Sequence, residues 1–205
     1  MVDLPFELES DLERRIAADP EWRRGIEWGA ARPGHPEGAV KHHVAEVLAN
    51  VDREARSPDE RRRLRLAALV HDVFKFQAPE GSARVGSDEH HGSLAAEFLA
   101  RFVDDAELVE LVRWHDEAFA AWMGLSRRGR RDRAEARARA LVERLGPSLD
   151  LYLRFFRADN ATGDKSPRSV RWFERIAADT ATPSAAAGAR ARRDRRGSAR
   201  GESTG

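Results

Sequence analysis

The stretch Leu66-Ala67-Ala68-Leu69-Val70-His71-Asp72-Val73-Phe74-Lys75-Phe76 sets a histidine and an aspartate into an otherwise apolar helix. Leu64, Ala67, Ala68 and His71 follow the three-and-four spacing of one helix face. A buried carboxylate is costly unless it is paired or bound to a cation. Imidazole and carboxylate together make good ligands for a divalent metal. Taken alone, the pair is read most simply as a hydrogen bond inside a helical core. The distribution of histidine changes that balance. All seven (His35, His42, His43, His71, His90, His91, His115) lie between residues 35 and 115, and the flanking regions have none. A shared metal or phosphate site would gather them in this way.

Helix formers dominate the 205 residues, with one tyrosine and few β-branched runs. This favours an all-α protein with one core of ordinary size. No apolar run approaches the roughly 20 residues needed to span a bilayer. The polar, acidic first residues do not read as a secretory signal. Cysteine is absent, which excludes disulfides, a thiolate nucleophile and Cys-ligated zinc. A cytoplasmic protein without membrane contact is the expectation. The net charge of +1 hides an asymmetry, because residues 180–205 and 126–139 carry six and seven arginines. The remainder is strongly acidic, so the basic character lies away from the histidines.

Along the chain, a first helix is expected over 8–18 with Ser10 as N-cap, and a second from Pro20 carrying Trp22, Ile26 and Trp28. A proline-rich loop covers 32–36. The next helix runs from about Glu37 to Glu54, with His43 beside its apolar stripe. Ser57 and Pro58 start a helix that carries the His-Asp pair and ends near Phe76. Residues 77–87 read as a loop that can cover a site. Ser87 or Asp88 caps a helix bearing His90 and His91, and a further helix spans 106–122 with His115 inward. A basic turn covers 124–131, followed by an Arg-Ala helix over 132–145. A helix from Pro147 turns Leu149, Tyr152, Leu153, Phe156 and Asp159 to one face, and the last spans 167–178. Beyond Thr180 the chain lacks large apolar residues, so a disordered tail is expected. The resulting division is 1–32 as N-terminal helices, 33–179 as the main domain and 180–205 as an Arg-rich tail.

His43, His71-Asp72, His91, His115 and Asp159 thus fall on separate helices, which a bundle can bring to one centre. In this order they resemble the HD-domain superfamily of metal-dependent phosphohydrolases. The segment His35-Pro36-Glu37-Gly38-Ala39-Val40-Lys41-His42-His43 is similar to one in the HD domains of bacterial tRNA nucleotidyltransferases. The spacing there selects His43 over His42. Val70-His71-Asp72-Val73-Phe74-Lys75 resembles the hydrophobic-His-Asp-x-Gly-Lys motif, with Phe74 replacing the glycine. His91-Gly-Ser-Leu-Ala95-Ala96, Val112-Arg113-Trp114-His115 and Arg157-Ala158-Asp159-Asn160-Ala161 resemble the remaining segments. No nucleotidyltransferase domain precedes them, so that activity is not carried over.

The resemblance covers about residues 33–165. It implies a single helical bundle of the HD-domain type, with a divalent metal held by His43, His71, Asp72 and Asp159. The identity is open among Mn, Co, Fe, Ni, Zn and Mg. His91 and His115 bind a second metal or contact a phosphate, and Asp72 can bridge two metals. Lys75 steadies a phosphate oxygen, with Arg113 and Lys165 as weaker candidates. Asp72 and Lys75 are the expected catalytic residues.

The bland readings are retained elsewhere. His42 and His90 are ordinary neighbours of the ligands, and His35 is a loop residue. Asp116 and Glu117 are a solvated helix end rather than a general base. The five tryptophans are core or bundle-edge residues. The Arg-Ala helix is a solvated face, and the tail makes at most a weak, salt-sensitive RNA contact.

The expected activity is hydrolysis of a nucleotide or other small phosphoester by metal-activated water. The competing readings are a di-iron oxygenase, since the same six ligands suit such a centre, and a non-catalytic nucleotide- or RNA-binding module. Substrate and oligomeric state are not readable.

Overall fold

The computed structural model describes residues 3–31, 36, 38–79, 81–163 and 165–181. His35 and the expected tail from residue 182 onward lie outside the described residues. Ten α-helices and no strand occur among them: α1 (Asp11–Ala18), α2 (Pro20–Ile26), α3 (Val40–Glu54), α4 (Pro58–Val70), α5 (His91–Ala100), α6 (Ala106–Trp114), α7 (Glu117–Arg128), α8 (Arg131–Leu145), α9 (Leu149–Asn160) and α10 (Arg168–Ala181). A single 3-10 turn, Gly146–Ser148, leads into α9.

Several starts follow the sequence directly. Ser10 accepts the Glu13 N–H, Asp19 accepts the Glu21 N–H ahead of Pro20, and Ser57 accepts the Glu60 N–H ahead of Pro58. Each cap satisfies a donor that the first helical turn leaves unpaired. Helix α4 is the centre of the bundle. It packs on α3, α9, α6 and α5, and every side chain from Leu64 to Val70 is buried. The first two helices contribute Ile16, Trp22 and Ile26 to the same core.

Two helix ends differ from the expectation, and both shape the site. Helix α4 stops at Val70 instead of continuing to Phe76. A continued helix would bring the Val73 N–H to the Leu69 carbonyl. That carbonyl instead accepts the Trp22 indole N–H at 2.8 Å, and the Val73 N–H goes to the Val70 carbonyl at 3.2 Å. Residues 71–77 then descend in tight turns, with Lys75 N–H on the Asp72 carbonyl and Gln77 N–H on the Phe74 carbonyl. Phe74 sits there at an ordinary negative φ, with its ring 5.3 Å from Phe98. The position therefore does not require a glycine backbone.

The expected helix over 106–122 is divided into α6 and α7 at His115-Asp116. The buried Tyr152 hydroxyl is inserted at the break. It lies 3.0 Å from the His115 carbonyl and 3.1 Å from that of Trp114, and it accepts the Ala118 N–H at 3.4 Å. A side chain entering the helical ladder is a recognised cause of such a break. Helix α5 starts later than expected. His90, rather than Ser87 or Asp88, is its N-cap and accepts the Gly92 N–H. Helix α7 also runs through much of the expected basic turn, ending at Arg128 on the left-handed Gly129.

Gly25 fixes the position of the 71–77 turns. A Cβ there would lie 1.7 Å from the Val73 carbonyl oxygen, so α2 approaches the turn backbone to backbone. Gly25→Ala is expected to destabilise the protein by roughly 1–3 kcal/mol through overpacking. Urea denaturation checks this, and unchanged stability would show that α2 does not press on the turn.

Candidate metal centre

Each expected ligand arrives from a different place in the bundle. His43 comes from the buried face of α3, and His71 caps the C-terminus of α4 with Asp72 beginning the turns. His91 opens α5, His115 closes α6, and Asp159 lies in the last turn of α9. Asn50 on α3 holds that end of α9 by donating to the Ala158 carbonyl at 2.7 Å.

Among the described residues, His43, His71 and Asp159 form one cluster, Asp72, His91 and His115 form a second, and His90, His91 and Asp116 form a third that shares His91 with the second. In the first, His43 Nε2 is 3.2 Å from His71 Nε2 and 3.0 Å from Asp159 Oδ1. Asp72 joins the first two clusters. Its Oδ2 lies 3.5 Å from Nε2 of both His43 and His71. Its Oδ1 lies 3.6 Å from His91 Nε2 and 3.5 Å from His115 Nε2.

The Asp72 separations of 3.5–3.6 Å are long for direct hydrogen bonds and suit a shared cation. Two ligand atoms each about 2.1 Å from one ion stand roughly 3.0–3.5 Å apart. Asp72 Oδ1 and His115 Nε2 are fully buried, and neither has a hydrogen-bond partner. Such atoms are costly to leave unsatisfied, and a divalent cation would satisfy both. The ring orientations agree. His71 Nδ1 lies 3.0 Å from the Ala68 carbonyl and His115 Nδ1 lies 2.8 Å from the Val112 carbonyl. In the neutral ring, donation from Nδ1 leaves the Nε2 lone pair directed at the centre. The donor set thus fits one or two divalent metals.

The electrostatics are unusual. Burial pushes His71 down to about 3, against the pull of Asp72 and Asp159. Burial also opposes charge on His115, but Asp116 and Asp72 outweigh it and raise this group to about 9. Burial works against an ionised Asp72 and Asp159 as well. His71 and Lys75 nevertheless hold Asp72 well below the usual carboxylate range, and Lys165 and His43 do so for Asp159. Lys75 Nζ is 2.7 Å from Asp72 Oδ2, and Lys165 Nζ is 3.0 Å from Asp159 Oδ1. Both lysines thus stand on carboxylates of the candidate metal centre. Arg113 is oriented to Glu97, at 3.7 Å.

A pH dependence follows for the metal-free protein. Burial lowers His90 to about 4 and His71 to about 3. The unfolded chain protonates both below about 6.5, whereas the folded chain does not until these lower values. The unfolded state then binds more protons, so stability falls as pH drops. Each histidine contributes a slope of about 1.4 kcal/mol per pH unit. His115 is protonated in both states there and adds no slope. Its own contribution is complete below about 6.5 and is lost as pH rises through about 9. Urea denaturation of chelator-treated protein should show a loss of roughly 2–3 kcal/mol between pH 6 and pH 5. A flat profile would contradict the burial of neutral His71 and His90.

Two residues read as a solvated helix end behave otherwise. Glu117 is buried and makes a bidentate pair with Arg137, at 2.7 and 2.6 Å. Asp116 faces the histidines, with Oδ2 3.1 Å from His91 Nε2 and Oδ1 3.6 Å from His115 Nε2. Its sequence signal, an acid at a helix start, is common to ordinary N-caps and could not single it out. His90, read as an ordinary neighbour, is the cap of α5. His42 has no place in any of the three clusters.

No helix among the described residues is long and apolar enough to cross a membrane. No curated protein and no solved structure matches the chain. The sequence model of the HD domain matches residues 40–148, just over half of the 205-residue chain. The matched segment contains His43, His71, Asp72, His91 and His115, and the fold adds Asp159 from beyond it. The chain belongs to the HD-domain family.

Proposed function

We propose that the protein is a metal-dependent phosphohydrolase acting on a small phosphoester, with nucleotides as the first class to examine. The observation that carries this reading is the placement of Asp72, with one carboxylate oxygen toward each of the first two clusters. His43, His71 and Asp159 with Asp72 Oδ2 would hold one divalent cation, and His91 and His115 with Asp72 Oδ1 a second. Divalent metals bound there would acidify water toward a pKa of roughly 7 and neutralise charge on phosphoryl oxygens.

The chain's own groups supply the rest. The Nδ1–H donations of His71 and His115 fix their rings, so the centre does not reorganise as charge develops. Lys75 and Lys165, paired with Asp72 and Asp159, would add two ammonium groups to the positive charge that draws an anionic phosphoryl group. Water adds to phosphorus, the ester P–O bond breaks, and the products are the alcohol and phosphate. The substrate is a small molecule in this reading, and RNA binding by the arginine-rich tail is not required.

A screen of nucleoside monophosphates, nucleoside triphosphates and p-nitrophenyl phosphate with Mn, Co, Ni, Zn, Fe and Mg tests the proposal. Turnover that chelator abolishes and metal restores is the expected result. No turnover of any phosphoester by metal-loaded protein would favour a non-catalytic binding module. The six-ligand arrangement also favours a second reading, a di-iron centre for O₂ chemistry. Iron as the metal present on isolation, with oxygen uptake, would select it.

A further inference from the structure

We propose that Asp116 is a fourth ligand of the second cation site, joining Asp72 Oδ1, His91 Nε2 and His115 Nε2. The inference rests on the metal-centre reading above and adds a ligand that the motif order does not supply. Asp116 occupies the N-cap position of α7, where an aspartate ordinarily accepts an N–H of the first turn. It makes no such bond. Its carboxylate turns instead to the histidines, 3.1 Å from His91 Nε2 and 3.6 Å from His115 Nε2. These distances match the ligand separations in the first cluster. The Tyr152 hydroxyl holds the break between α6 and α7, which places consecutive residues His115 and Asp116 on the same centre.

His90 also lies close enough to share an ion with His91 and Asp116, but it is set for a different role. Its Nδ1 accepts the Gly92 N–H at 3.0 Å, so the neutral ring carries its proton on Nε2. That atom is 3.7 Å from Asp116 Oδ2 and offers a proton rather than a lone pair. The opposite Nδ1 polarity in His71 and His115 marks those two as ligands. His90 therefore belongs beside the second site and outside its ligand set.

With Asp116 included, the two sites become alike, each with two imidazoles and two carboxylate oxygens. Two dications against Asp72, Asp116 and Asp159 leave a net charge of about +1 before the lysines are counted. Such a centre retains attraction for a phosphoryl anion while holding both metals.

Equilibrium dialysis with Mn²⁺, read by elemental analysis, separates the possibilities, with electron paramagnetic resonance reporting a coupled pair. Wild type should bind two Mn²⁺ per chain, and Asp116→Asn should retain one. The lost ion's affinity should fall by more than about 100-fold, beyond the range for outer-sphere changes, while the other stays within about threefold. His90→Asn should retain two. Asp116→Ser, which restores a good N-cap for α7, keeps the test valid if the asparagine variant folds poorly. Its metal-free form should keep the helical circular dichroism of wild type, and it should also bind one. Two ions of unchanged affinity in either Asp116 variant, or one in wild type, would overturn this inference and leave the first site standing. Loss of an ion from His90→Asn with none lost from Asp116→Asn would overturn it as well. No Mn²⁺ in wild type would overturn the metal-centre reading itself.

Discussion

Replacing Asp72 by alanine is expected to lower phosphoester turnover by about 10³-fold or more and to strip metal from both clusters. The size follows from the position of the carboxylate. Oδ2 faces His43 and His71, and Oδ1 faces His91 and His115, so one substitution removes a ligand oxygen from each side. Loss of one preorganised electrostatic contact commonly costs 10²–10³ in rate, and here two are lost together. The substitution also takes a carboxylate from the buried Lys75, which adds an electrostatic cost to folding. Asp72→Asn keeps the shape of the side chain and distinguishes lost chemistry from lost fold. Helical circular dichroism should persist in Asp72→Asn while turnover and metal content fall. Wild-type turnover in a folded Asp72→Asn protein would contradict the role assigned to this residue.

Glu13→Ala is expected to cost about 3 kcal/mol of stability, the lower end of the range for breaking a buried ion pair. Glu13 and Arg65 are both almost fully buried, and the guanidinium donates to both carboxylate oxygens at 2.8 and 3.0 Å. Glu13 also accepts the Glu9 N–H, so its removal loosens the start of α1. Glu9 lies 3.0 Å from the Arg65 guanidinium and partly compensates, which keeps the cost at the low end. Glu13→Ala/Arg65→Met should recover most of the loss, because the second change removes the stranded charge. Urea denaturation of the four proteins forms the cycle. A single variant within about 0.5 kcal/mol of wild type would show that the N-terminal segment is not fastened to α4 by this pair.

What the sequence displayed well was local. Ser10, Asp19 and Ser57 cap helices where their neighbours Pro20, Pro58 and the apolar spacing place the starts. The inward faces of α3 and α9 are readable from three-and-four spacing, which is how Asp159 could be assigned to the interior, while His43 beside the α3 stripe was selected over His42 by the spacing of the segment it resembles. The two helix breaks were not readable because their causes are distant. Trp22 takes the Leu69 carbonyl across 47 residues, and Tyr152 enters the His115 turn across 37. Helical propensity alone would carry both helices onward. Asp116 was obscured for the same reason, since its approach to His91 and His115 depends on a break that only the folded bundle creates. Phe74 illustrates the converse. It departs from the glycine of the motif, yet its negative φ and its contact with Phe98 make it ordinary packing.

In the proposed centre, Asp72 is a carboxylate shared between two cation sites. Elemental analysis of wild type and Asp72→Ala, each purified, stripped and reloaded with Mn, Fe, Co, Ni or Zn, tests this most directly. Two metals per wild-type chain with at least one of these ions are expected, and both should be lost from a folded Asp72→Ala protein. Wild type that takes up none of them, or Asp72→Ala that retains the full complement, would contradict the shared carboxylate.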